Sequence, residues 1–130
     1  MKIPTAAFLL VLLPAAVLSW LNFFHKHVVT ENSWQSCSSN MWNINNEIRQ
    51  CKDINTFIFD PENQFNTICS SGEEFVTSYS WFDIVDCTHD RRSQYPNCVY
   101  QDQRLKAKNI KIKCVNGYPV HLYNLAKGTG

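Results

Sequence analysis

His25, His27, His89 and His121 are the side chains best suited to move a proton at neutral pH, because only imidazole has an ordinary pKa between about pH 5 and 8. A single histidine is more often structural or merely exposed than catalytic, so residue type alone decides nothing. Two of them together can do acid–base work, one neutral and taking a proton, the other charged and giving one. His27 stands in Phe23-Phe24-His25-Lys26-His27, and His121 in Pro119-Val120-His121-Leu122. Such proton transfer calls for no metal and no cofactor. No Cys-x-x-Cys pair of the zinc-binding kind is present. His25 and His89 read as structural or exposed. Spacing does not show that His27 and His121 meet.

The elements that must position these groups are legible in outline. Trp20, Leu21, Phe23, Phe24 and His27 recur at roughly helical spacing, which predicts an amphipathic helix over residues 20–29. A loop at Asn32 and Ser33 precedes a second predicted helix over 36–49. Residues 55–59 are β-branched and aromatic and predict a strand. Asp60-Pro61-Glu62 has the chemistry of a helix start, with a short third helix expected to about Cys69. Beyond Gly72 the pattern changes to strands over 75–79, 81–87 and 97–101. Ile110, Ile112 and Cys114 then alternate with Lys111 and Lys113 in a period of two. Asn116-Gly117 marks a turn, and 118–123 the last strand. Helices followed by antiparallel strands predict an α+β domain, three helices packed on a bent antiparallel sheet.

The first residues predict a cleaved leader. Lys2 is followed by an apolar run over 6–18, with small Val17 and Ser19 where signal peptidase cuts. The run is too short to span a membrane. Residues 1–19 are therefore expected to be a signal peptide and 20–130 a single secreted, extracellular domain, expected to be a monomer with no stable membrane insertion. All six cysteines lie in that domain, which predicts three disulfides and leaves their pairing open. Loss of Lys2 takes the formal net charge from +1 to zero. Proteins that coat nucleic acid are usually strongly basic, and membrane-disrupting surfaces need excess Lys and Arg. Any RNA contact must therefore come from a local cluster. The densest basic stretch is Arg104, Lys106, Lys108, Lys111 and Lys113. It reads first as a solvated strand face, and secondly as a phosphate track or glycan-binding patch.

Cys51-Lys52-Asp53-Ile54-Asn55-Thr56-Phe57 resembles the CKxxNTF signature of the pancreatic ribonuclease superfamily. Phe23-Phe24-His25-Lys26-His27 is similar to its N-terminal helix motif, with a Phe four residues before the first catalytic histidine. Tyr95-Pro96-Asn97-Cys98 matches a family segment, and Pro119-Val120-His121-Leu122 resembles the motif of the second catalytic histidine. The order of the cysteines is also that of the family. The likeness spans 20–130 and is strongest toward the frog-egg, onconase-like ribonucleases and the angiogenin-like members. It implies the pairs Cys37–Cys87, Cys51–Cys98 and Cys69–Cys114.

The resemblance also implies roles. His27 is the base that takes the ribose 2′-hydroxyl proton, His121 the acid that protonates the departing 5′-oxygen, and Lys52 the cation at the phosphorane. Thr56 reads a pyrimidine with support from Asp86, and Lys26, Asn55 and Leu122 complete the substrate site. The implied activity is endonucleolytic cleavage of single-stranded RNA 3′ of pyrimidines, through a 2′,3′-cyclic phosphate. Two positions depart from the mammalian pattern. Tyr123 stands where those enzymes carry the aspartate that orients the second histidine, and Val115 stands where a glutamate contacts the second base. The alternative reading is an angiogenin-like or host-defence protein that acts on cells by binding a surface glycan or receptor, with weak or no RNA cleavage.

Overall fold

The computed structural model describes residues 14–127, except for the side chains of 107–109 and 124–127. Most of the expected leader lies outside the described residues. In chain order the elements are α1 (Ala15–His27), β1 (Val28–Val29), α2 (Cys37–Asn40), α3 (Trp42–Ile48) and β2 (Ile54–Phe59). A 3-10 turn (Gln64–Asn66) follows, then β3 (Phe75–Thr77), β4 (Phe82–His89), β5 (Tyr100–Val115) and β6 (Tyr118–Lys127). This is an α+β fold with helices packed on one bent sheet.

Three helical expectations change. The first helix begins at Ala15, ahead of the expected cut after Ser19, and stops at His27. It stops because Val28 and Val29 are β-branched and take extended backbone, pairing in parallel with Ile58 and Phe59. The sheet is thus antiparallel apart from this one short pair. The second helix is broken at Met41 into α2 and α3. Ser38, Ser39 and Asn40 compete with the helical backbone, and the Asn40 carboxamide oxygen accepts from the backbone of Gln35 at 3.0 Å. The third helix shrinks to the 3-10 turn. Asp60 does cap it, accepting from the Gln64 and Phe65 N–H groups at 2.9 Å each. Asn63, however, sits at φ 54°, a left-handed conformation that no α-helix from Asp60 can pass through.

The sheet runs β1-β2-β4-β5-β3, with β6 on β5. β5 absorbs two expected strands into one. Its first half pairs with β4, Tyr100 opposite His89 through Ala107 opposite Phe82. Its second half pairs with β3 and β6. The register against β6 shifts between Lys108 and Lys111, between Lys111 and Ile112, and between Lys113 and Cys114. Irregularities of this kind bend a strand and increase its twist, which lets one long strand serve both halves of the sheet.

Both faces of the β2–β4 pair are covered. Phe57, Phe59 and Val85 pack with Met41 and Ile44 from α2 and α3. Ile58, Ile84 and Phe82 pack with Phe23 of α1, Phe65, Ile110 and Ile112. Disulfides join Cys37 to Cys87, Cys51 to Cys98 and Cys69 to Cys114, across separations of 50, 47 and 45 residues. In the chain-entropy model each loop of this length stabilises by about 4 kcal/mol. They tie α2 to β4 and the 3-10 region to β5, and so hold fixed the strands that carry the site.

Candidate active site

His27 is the last residue of α1 and is partly buried. Its ring Nδ1 lies 2.9 Å from the Thr56 carbonyl oxygen. A carbonyl only accepts, so Nδ1 carries the hydrogen and Nε2 keeps a lone pair. Burial lowers the His27 pKa to about 4; the Thr56 hydrogen bond opposes this, and the charges of Lys52, Lys26 and His121 add to it. The ring is therefore neutral at pH 7, in the tautomer that a proton acceptor needs.

Lys52 lies in the loop before β2. Its ammonium donates to Asn55 Oδ1 at 2.8 Å, and the Asn55 amide donates to the Lys26 carbonyl at 2.8 Å. Asn55 thus ties the end of α1 to the lysine. Burial, with the Lys26 charge second, lowers the Lys52 pKa. Two residues that the sequence did not single out hold the Lys52 backbone. Asn45 Oδ1 accepts from its N–H at 3.0 Å, and the Tyr100 hydroxyl lies 2.6 Å from its carbonyl and 3.1 Å from Asn45 Oδ1. Only burial distinguishes Asn45, and burial is not visible in one sequence.

Thr56 and Asp86 stand directly opposite each other on β2 and β4. The Thr56 hydroxyl donates to Asp86 Oδ1 at 2.8 Å, which leaves the hydroxyl oxygen able to accept. Thr56 therefore meets His27 through its backbone and Asp86 through its side chain.

His121 lies on β6, opposite Lys113 of β5, and is exposed. Its ring neighbour is Tyr123, edge to face at 6.4 Å. Among the described residues no hydrogen-bond acceptor holds the His121 ring. Leu122, between His121 and Tyr123 on β6, is half-buried, and its side chain packs against the core.

The remaining candidates separate from the site. His89 Nε2 lies 3.0 Å from the Ser93 hydroxyl, and its ring packs on Tyr100. His25 pairs with Glu47 at 3.1 Å in an exposed position. The basic stretch is not one track. Arg104 pairs with Glu31 at 2.7 Å and covers Phe59, whereas Lys111 and Lys113 lie further along β5, Lys113 opposite His121. A groove of about 540 Å³ beside Trp81 is lined by four carboxylates, Glu31, Asp60, Glu62 and Asp83, against one cation, Lys106, and holds none of His27, Lys52 and His121. Its acidic lining disfavours phosphate. Among the described residues no cluster could hold a metal ion, and no helix is long and apolar enough to cross a membrane.

Residues 19–123 match the pancreatic ribonuclease family model. The pancreatic ribonuclease of Notamacropus rufogriseus is 35% identical over 113 residues, covering 76% of this chain and 91% of that protein. Angiogenin-4 of Mus musculus is 40% identical over 76 residues, covering 55% of this chain and only 52% of that protein. Among solved structures, SS-RNase-2 des116-120 superposes with a TM-score of 0.68 at 31% identity, covering 82% of this chain and 98% of that one.

Proposed function

The chain belongs to the pancreatic ribonuclease family, and from that premise we propose that it is a secreted endoribonuclease cleaving single-stranded RNA 3′ of pyrimidines. His27 Nε2 takes the proton of the ribose 2′-hydroxyl, and the 2′-oxygen attacks phosphorus. The bond to the 5′-oxygen breaks as His121 protonates that oxygen, leaving a 2′,3′-cyclic phosphate. Lys52 stabilises the phosphorane charge. Thr56, with its hydroxyl steadied by Asp86, accepts from or donates to the edge of the pyrimidine 5′ of the broken bond. Lys26 and Asn55 lie beside the scissile phosphate. The observation that carries this reading is the His27–Thr56 hydrogen bond, which leaves the outward nitrogen unprotonated at neutral pH. Secretion is supported by the leader pattern over 1–19 and by the three disulfides.

Incubation of the oxidised protein, without residues 1–19, with single-stranded RNA tests the reading. New 2′,3′-cyclic phosphate ends after U and C are expected, with poly(A) a poor substrate. Equal trace rates for wild type and His121→Ala would overturn it. The His121 ring, which no hydrogen-bond acceptor holds among the described residues, favours a second reading, in which cleavage is weak and the protein acts on cells by binding a surface glycan or receptor. Binding to cells that survives His27→Ala, together with negligible turnover, would select it.

A further inference from the structure

The turn that joins β5 to β6 carries a reactive pair that the chemistry above leaves unused. Asn116 is the only asparagine in the sequence that is followed by glycine. Asn116 lies at φ 51° and Gly117 at φ 81°, the two left-handed positions of a two-residue hairpin turn. Both residues are exposed. The space beside Gly117 is open, since a Cβ there would meet nothing within 4 Å. Among the described residues no hydrogen bond engages the Gly117 N–H or the Asn116 carboxamide. A main-chain nitrogen that is neither bonded nor covered, directly after an asparagine, can close on the asparagine Cγ. Any residue but glycine would put a Cβ in the way of that approach.

We propose that Asn116 is a site of spontaneous deamidation, and that the isoaspartate it yields displaces β6 and with it His121. The Gly117 nitrogen attacks the Asn116 Cγ. The C–N bond of the carboxamide breaks, and ammonia leaves with the proton of the attacking nitrogen. The cyclic succinimide then takes up one water. Opening at Cγ gives aspartate. Opening at the main-chain carbonyl gives isoaspartate, in which the chain runs through the side chain and is longer by one carbon. Val115 and Tyr118 face each other across the turn, and His121 faces Lys113. In a hairpin the turn fixes the register of the strands, so an extra main-chain atom must be taken up by the first pairs of β6. The register already shifts between Lys113 and Cys114, and Cys114 faces Pro119, which has no N–H to hold the ladder there. The effect on cleavage rests on His121 being the acid, whereas the modification itself does not.

Incubation of the disulfide-bonded protein, without residues 1–19, in mildly alkaline buffer tests the inference. Isoaspartate is expected at residue 116 by peptide mapping, and hydroxylamine is expected to trap the succinimide and cut the chain there. Residues 117–130 hold no cysteine, so that fragment leaves without reduction. RNA cleavage is expected to fall in step with isoaspartate and to lose most of its initial rate. Asn116→Gly, which suits the same turn, is expected to hold its rate over the same period. Asn116→Asp, with the new charge but the ordinary main chain, is expected to keep most of the wild-type rate. An amide that persists in the folded protein, yet is lost after reduction and unfolding, overturns the inference, because the fold then protects the turn. Isoaspartate with an unchanged His121 ring resonance overturns the displacement, and so does an equal loss of rate in Asn116→Asp. If the fresh protein cleaves no RNA, the endonuclease reading fails, and isoaspartate at 116 with a shifted His121 resonance still carries the inference.

Discussion

His27 ends a helix, sits partly buried and commits one ring nitrogen to the Thr56 carbonyl. His121 lies on an exposed strand with the Tyr123 ring as its neighbour. The same side chain is thus set up in opposite ways. The proposed base is locked in tautomer and kept neutral by burial, while the proposed acid depends on its strand for position. Among the described residues only the proposed acceptor has its ring held by a hydrogen bond, so on this reading the first half of the reaction is the better preorganised.

Removing either ring is the largest test of this contrast. His27→Ala and His121→Ala should each lower kcat/KM by roughly 10²–10⁴-fold, measured on a uridine-containing dinucleotide. The double variant should lose far less than the product, because residues that act as a unit are not additive. A full product would mean that the two rings act independently. Lys52→Ala should come next, lowering kcat by about 10²-fold with little change in KM, since its charge matters most in the phosphorane.

The depressed His27 pKa gives a smaller effect, with a definite sign. Its folded value, about 4, lies below the ordinary value of 6.5, so the unfolded chain binds the proton first as pH falls. Keeping His27 neutral therefore costs nothing above pH 6.5, and the fold loses stability progressively as pH drops from there through 4, roughly 3 kcal/mol at the limit. Thermal unfolding of wild type and His27→Gln at pH 7 and pH 4 should show the variant losing less on acidification. The acid limb of kcat/KM should likewise fall well below 6.5, and a limb at 6.5 would contradict the buried, neutral base. Asp86→Ala should cut cleavage after uridine several-fold more than after cytidine. Uracil offers an N–H to the hydroxyl that Asp86 holds as an acceptor, whereas cytosine offers a lone pair. Least in size, Tyr123→Asp should raise kcat a few-fold on the same dinucleotide by giving His121 an acceptor.

How much of this was legible in the sequence follows physical lines. The alternation of Ile110, Ile112 and Cys114 with lysines marked β5 because a period of two is local. The helix ends were less legible, since Asn63 at a left-handed φ and the break at Met41 depend on hydrogen bonds chosen by the whole fold. The proposed catalytic trio came from resemblance, not from spacing: His27 and Thr56 are 29 residues apart, and nothing in either segment announces their contact. The pairs Cys37–Cys87, Cys51–Cys98 and Cys69–Cys114 were implied in the same way. Asn45 and Tyr100 escaped notice because they act on the Lys52 backbone, a role that no motif encodes.

Thr56 touches two matters at once. Its hydroxyl faces Asp86, while its carbonyl fixes the His27 tautomer. The second contact belongs to the main chain and so survives any replacement of the side chain that leaves β2 undisturbed. Under the proposed roles, mutation at this one position can over generations change which nucleobase is preferred without touching the group that begins the reaction. Such a scaffold can diversify its diet of sequences with little risk, since the part that varies and the part that must not vary share a residue but not an atom.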